Sequence, residues 1–160
     1  MSKIQDLINS NDTIMVFDVD GVLAKMEYGE YNHFAVDDDT WNKLIEEGEQ
    51  FYKEEQAIPR MVEYVKSKDI NNIYVCSRSF NVKEDAIKRS FLISVYGILE
   101  DHIYFVRNNE DKLKIMFKIK ELNPNVEDNH IAMVDDTVSI LNNIKESSNF
   151  ATVHISSFML

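Results

Sequence analysis

Five short apolar runs punctuate the chain: TIMVF at 13–17, IYVC at 73–76, IYFV at 103–106, IAMV at 131–134 and ATVHI at 151–155. Each is apolar at odd and even positions alike, the pattern of strands covered on both faces of a parallel sheet. Between them apolar residues recur at helical spacing. Trp41, Leu44, Ile45, Phe51 and Tyr52 form one stripe, and Met61, Val62 and Val65 form a second behind Pro59, a favoured first-turn residue. Ala86, Ile87, Phe91 and Val95 form a third, Ile115, Met116, Ile119 and Leu122 a fourth, and Val138, Leu141 and Ile144 a fifth. Strand and helix patterns that alternate in this way predict an α/β fold. The expected architecture is a doubly wound, Rossmann-like parallel sheet of about five strands, with right-handed crossovers and helices on both faces. Such sheets bind ligands beyond the carboxyl ends of their strands, so the residues leaving each strand carry the functional question.

Composition narrows the class. A chain of 160 residues that is 44% hydrophobic and 28% charged fits one domain over 1–160 with a substantial core. A single cysteine excludes an intramolecular disulfide framework and a multi-cysteine zinc site. The longest near-apolar run, FLISVYGIL at 91–99, is far short of the roughly 20 residues a membrane span needs. The first residues carry no basic head followed by a long apolar stretch, so the expectation is a cytoplasmic protein with no membrane partner. The net charge is −11, and the segment 24–57 contributes −7 of it through ten acids and three bases. A surface of that sign repels polyphosphate backbones and weighs against tight nucleic-acid binding.

Four strand ends carry candidate chemistry. The first run leads into Asp18, Val19, Asp20 and Gly21, where crowded carboxylates call for a cation or hydrogen bonds, although Asp and Gly also make ordinary turns. The second leads into Ser77 and Arg78; Ser77, like Ser79 or Asn81, would also serve as a helix N-cap. After the third come Lys112 and Lys114, at a helix start where the dipole disfavours lysine, yet solvated lysines are common. The fourth ends in Asp135 and Asp136, of which one can cap the next helix and both together suit a hard cation such as Mg²⁺.

In this order, FDVDGVL, then Ser, Lys and VDD at successive strand ends resemble the haloacid dehalogenase (HAD) superfamily of phosphotransferases, over 13–155. The resemblance implies that Asp18 is a nucleophile forming an aspartyl-phosphate and that Asp20 is the general acid and then the base. It implies that Ser77 donates to a phosphoryl oxygen and that Lys112, preferred over Lys114, neutralises charge there, with Arg78 as a further phosphate contact. Mg²⁺ would sit among Asp18, the Asp20 carbonyl, Asp135 and Asp136. Val22 stands where the commonest motif has threonine. The segment 24–57 falls where this superfamily inserts its first cap and is short, which implies an open, minimally capped site.

The implied function is a Mg²⁺-dependent phosphomonoester hydrolase acting on a nucleotide or another small phosphate ester. Similarity to the 3′-phosphatase half of polynucleotide kinase-phosphatases makes a nucleic-acid end the alternative substrate, and DVDGVL is also similar to deoxyribonucleotidases. A phospho-aspartate receiver would reverse the order of the acid pair and the acceptor; a non-catalytic scaffold would not need every one of these charged groups. Trp41, Phe51 and Tyr52 on the insertion suit a homo-oligomer. The four histidines, His33, His102, His130 and His154, are scattered and suggest no metal cluster.

Overall fold

The computed structural model describes residues 2–28, 30–33 and 36–159; positions 29, 34 and 35 of the expected insertion lie outside the described residues. In chain order the elements are α1 (Lys3–Asn9), β1 (Ile14–Phe17), a hairpin of β2 (Glu27–Tyr28) and β3 (Asn32–His33), α2 (Asp38–Glu46), α3 (Pro59–Ser67), β4 (Ile73–Arg78), α4 (Val82–Tyr96), β5 (Ile103–Val106), α5 (Lys112–Leu122), β6 (Ile131–Asp135), α6 (Val138–Ser147) and β7 (Ala151–His154). The main sheet has the order β5-β4-β1-β6-β7, with every pairing parallel. The fold is therefore α/β and doubly wound, with five strands and helices on both faces.

The double-sided apolar pattern has a direct cause. Successive strand residues point to opposite faces. Met15 and Phe17 enter one core layer with Met61, Val65, Phe91 and Leu92, beneath α3 and α4. Ile14 and Val16 enter the other with Met116, Ile119, Leu141 and Ile144, beneath α5 and α6. Phe17 pairs with Val75 on one side and Val134 on the other, so Asp18 leaves β1 level with Asp135 on β6. Because all five strands run the same way, their carboxyl ends share one edge of the sheet.

Several elements depart from the helical stripes. The second helix ends at Glu46, and Gly48, at φ 91°, turns the chain so that Phe51 and Tyr52 follow in non-helical backbone. They still pack with that helix: Trp41 stacks on Phe51 at 4.3 Å and meets Tyr52 edge-on at 6.3 Å. On α4 the buried positions are Glu84, Lys88, Phe91, Leu92 and Tyr96, whereas Ala86 is exposed. Two charged residues occupy inward positions there, which puts the apolar stripe out of phase with the buried one. Leu122 and Val138 are exposed. The strand β4 runs two residues further than the apolar run, because Ser77 and Arg78 pair with Phe105 and Val106 of β5. Asn81 is the N-cap of α4, accepting from the Glu84 amide at 2.9 Å.

Between β1 and α3 the chain leaves the sheet for the hairpin and α2. Ala24 bridges to Ala57 at the base of this excursion, and the Lys25 amide donates to the Gln56 carbonyl at 2.7 Å. No helix among the described residues is long and apolar enough to cross a membrane.

Candidate active site

At the carboxyl edge, Asp18 is only 8% exposed, and its amide donates to the Val134 carbonyl at 3.0 Å. That bond continues the β1–β6 ladder and holds the carboxylate over the crevice. The Lys112 ammonium, buried at the first turn of α5, lies 3.3 Å from Asp18 Oδ1 and 2.9 Å from Asp135 Oδ2. Asp135 is fully buried and its Oδ1 accepts from the Thr137 amide at 2.9 Å. Asp136 is exposed, and its Oδ1 accepts from the Thr137 hydroxyl at 3.2 Å. Lys114, by contrast, is exposed and pairs with Asp111 at 2.9 Å.

The electrostatics follow from burial. Removal from water disfavours the charged carboxylate and pushes Asp18 up to about 6. The Lys112 ammonium opposes that shift, while Asp135 and Asp20 add to it. Asp135 is also raised, by burial first. Burial alone would lower Lys112; the carboxylates of Asp18 and Asp135 outweigh it and hold the ammonium above the ordinary lysine range.

These residues fit a divalent cation. Asp18, Asp135 and Asp136 each offer a carboxylate oxygen, all within 4.8 Å of one another. Hard oxygen donors of this kind are what Mg²⁺ takes. Gly21 makes the approach of Asp136 feasible. A Cβ at position 21 would lie 2.3 Å from Asp136 Oδ2, and the backbone there has φ 76°.

Asp20 faces a second set of partners, of which only Tyr52 belongs to an apolar stripe. Its Oδ1 accepts from the Tyr52 hydroxyl at 2.6 Å, and its Oδ2 accepts from Lys88 Nζ at 2.9 Å. Lys88, 1% exposed, also donates to the Ser77 hydroxyl at 3.2 Å and to the Arg78 carbonyl at 2.7 Å. Glu84, one helical turn earlier, lies 3.6 Å from the same ammonium. Its carboxylate accepts from the Trp41 indole N–H and, at 3.0 Å, from the Phe80 amide. Burial by itself would lower Lys88, but Asp20 and Glu84 raise it. Tyr52 is pushed well up, first by burial and then by the Asp20 charge.

The edge thus holds two buried lysines. One joins Asp18 to Asp135; the other joins Asp20 to Ser77. The signal that would have found the second is Glu84 and Lys88 four residues apart, in phase with Phe91, Leu92 and Tyr96. Arg78, expected as a phosphate contact, is engaged by other partners: its Nη2 pairs with Asp38 on α2 at 3.2 Å, and its guanidinium lies 4.6 Å from the centre of the Phe80 ring. His154 lies outside the acidic cluster, with Nε2 3.2 Å from the Asp136 carbonyl and Nδ1 2.8 Å from the Ser156 hydroxyl.

No protein-family model and no curated protein matches the sequence. Solved structures similar to this chain include two at low sequence identity. DsGPDH of Dunaliella salina superposes with a TM-score of 0.60 at 16% identity, over 95% of this chain and 25% of that one. The HAD domain of the Legionella pneumophila effector Lem4 gives a TM-score of 0.46 at 13% identity, over 89% of this chain and 84% of that one. This chain spans only a quarter of the length of DsGPDH, and at such identity the likeness is one of fold. With β1 central, flanked by β4 and β6, and the excursion leaving directly after β1, the protein has a doubly wound, Rossmann-type α/β fold.

Proposed function

We propose that this protein is a Mg²⁺-dependent phosphomonoester hydrolase that works through an aspartyl-phosphate on Asp18. The observation that carries the reading is the buried Asp18 carboxylate at the end of the central strand, beside Lys112 and within 4.8 Å ligand reach of Asp135 and Asp136. Asp18, Asp135 and Asp136 would hold the ion, with the Asp20 carbonyl. When bound, Mg²⁺ withdraws charge from the phosphoryl oxygens and offsets their repulsion from the carboxylates.

The chain's own groups supply the rest. Asp18 attacks phosphorus: a bond forms between its carboxylate oxygen and phosphorus, and the bond from phosphorus to the ester oxygen breaks. Asp20 in its protonated form gives its proton to the departing alkoxide, which leaves as an alcohol. Asp20, now a carboxylate, takes a proton from the water that attacks the aspartyl-phosphate. Phosphate leaves, Asp18 is freed, and Asp20 holds its proton again. Lys112 offsets charge shared by the phosphoryl group and Asp18, and the Ser77 hydroxyl donates to a phosphoryl oxygen. Positioning and charge stabilisation of this kind are most of what phosphoryl transfer asks of a protein.

A small ester is the favoured substrate. The excursion over 24–57 carries −7 beside the site, and a long polyanion must approach that surface.

The test is hydrolysis of p-nitrophenyl phosphate, ethyl phosphate and a 3′-phosphorylated oligonucleotide, with Mg²⁺ and with chelator. The expected result is Mg²⁺-dependent release of phosphate from the small esters, abolished in Asp18→Asn. Release that survives chelation or the substitution would overturn the mechanism. A preference for the oligonucleotide that persists at high salt would move the reading to nucleic-acid ends.

A further inference from the structure

We infer that the cavity beside Asp20 is a leaving-group subsite that selects a flat, uncharged aromatic alcohol, an assignment that rests on the phosphatase reading above. The cavity holds about 240 Å³ and begins at Asp20 and Lys88, with Met26, Val36, Trp41 and Phe80 on its walls. Asp20 is the group that protonates the departing oxygen, so the carbon skeleton attached to that oxygen extends into this space. Its volume lies below the range of drug-sized pockets, roughly 300–1,000 Å³, and suits a single ring system better than a long chain.

The walls are held in place before any ligand arrives. One buried carboxylate, Glu84, accepts from the Trp41 indole and from the Phe80 amide, at 3.0 Å for the latter. Trp41 is fixed on its other side by the Phe51 ring stacked at 4.3 Å. The Phe80 ring carries the Arg78 guanidinium 4.6 Å from its centre. Two segments far apart in sequence, α2 and the β4–α4 turn with the start of α4, are therefore tied together around the opening. A slot with fixed aromatic walls favours a rigid flat group, which loses little freedom on entry and stacks well.

Charge decides the second half of the specificity. The cations lining the cavity are already engaged. Arg78 pairs with Asp38 at 3.2 Å, and Lys88 pairs with Asp20 at 2.9 Å and Glu84 at 3.6 Å. The lining carries three carboxylates, Asp20, Asp38 and Glu84, against two cations, and with Asp20 protonated for the transfer the remaining charges balance. A second phosphate or a carboxylate on the leaving group meets no cation outside these pairs and must break one of them to find a partner. The cavity thus discriminates against bisphosphates and diphosphates through what its lining already holds.

The experiment compares kcat/KM for ethyl, 2-cyclohexylethyl, 2-phenylethyl and 2-(4-carboxyphenyl)ethyl phosphates with Mg²⁺. All four release primary alcohols, so differences in bond reactivity are small. The expected result is that the phenylethyl ester exceeds the ethyl ester by roughly 10- to 100-fold, as burial of one ring in a fitted pocket allows. It should exceed the cyclohexyl ester several-fold, and the carboxylated ester should lose the advantage. Phe80→Leu should shrink the phenylethyl-to-ethyl ratio. In the unmodified protein, 2-phenylethanol should compete with ethyl phosphate where ethanol does not. Equal rates across the uncharged esters, or preference for the carboxylated one, would overturn the subsite while leaving the phosphatase reading intact. Failure to hydrolyse any of the four would remove both.

Discussion

Lys88 Nζ lies 2.9 Å from Asp20 Oδ2, across 68 residues of chain. The contact brings the middle of α4 against the residue that follows the central strand, and the same ammonium bonds the Ser77 hydroxyl. Two residues with different roles at the phosphoryl group, Asp20 as proton donor and Ser77 as oxygen ligand, are thereby set by one buried cation.

Replacing Lys88 by Met is therefore expected to cost both stability and turnover. It leaves Glu84 and Asp20 without their shared cation, and breaking a buried pair costs on the order of 3–5 kcal/mol. Asp20 is only partly buried, which places the expected loss at the lower end, about 3 kcal/mol. Urea unfolding measures it. Turnover should fall more for ethyl phosphate than for p-nitrophenyl phosphate, because only the poor leaving group depends on a well-aimed Asp20. Equal losses on the two esters would show that Lys88 does not act through Asp20. Lys88→Arg should recover part of the stability.

Asp18→Asn removes the nucleophile and one of three clustered carboxylates. The expected outcome is a loss of turnover of at least about 10³-fold with the fold retained, since an amide does not attack phosphorus. Mg²⁺ should raise the Tm of the unmodified protein, because a ligand bound only by the folded state stabilises it in proportion to its occupancy. The Asp18→Asn protein should show a smaller rise. Differential scanning fluorimetry over a Mg²⁺ titration reads both; an unchanged Tm at saturating Mg²⁺ argues against the cation site.

Gly21→Ala tests the same site from its other side. The added Cβ would meet Asp136 Oδ2 at 2.3 Å, on a backbone with φ 76° that L side chains rarely adopt. Asp136 must swing away, and the left-handed conformation itself costs about 1 kcal/mol. The expected outcome is weaker Mg²⁺ binding by isothermal titration with a modest drop in Tm. Undiminished Mg²⁺ affinity would remove Asp136 from the ligand set.

Cys76 supplies a pH prediction. Burial pushes its thiol up to about 12, with Asp18 and Asp135 adding and Lys112 opposing. At pH 8 the native protein should leave a thiol reagent such as DTNB unreacted for as long as it stays folded, and react at once in denaturant. The sign for stability follows from the raised value. Below the ordinary thiol value of 9.0 the group is neutral in both states and costs nothing. As pH rises from there towards 12 the unfolded chain ionises first, so this group's contribution to stability is lost over that range. Rapid labelling at pH 8 in the native state would refute the burial.

Local pattern along the chain accounts for one part of the molecule. The apolar runs are strands because both parities are apolar. Met15 and Phe17 face one core layer, and Ile14 and Val16 face the other. Parallel strands then bring Asp18, Ser77 and Asp135 to one edge, whatever the details of packing. The tertiary structure alone decided which charged residues turn inward. Lys88 and Glu84 belong to no apolar stripe, and a lysine or glutamate is stable in a core only when a partner meets it there. Those partners, Asp20, Trp41 and the Phe80 amide, come from other segments of the chain. The same reason turned Arg78 towards Asp38 and carried Tyr52, beyond the end of α2, onto Asp20. Hydrophobic burial has a period that can be read along the chain; an ion pair has only a partner, and its position is settled when the chain has closed.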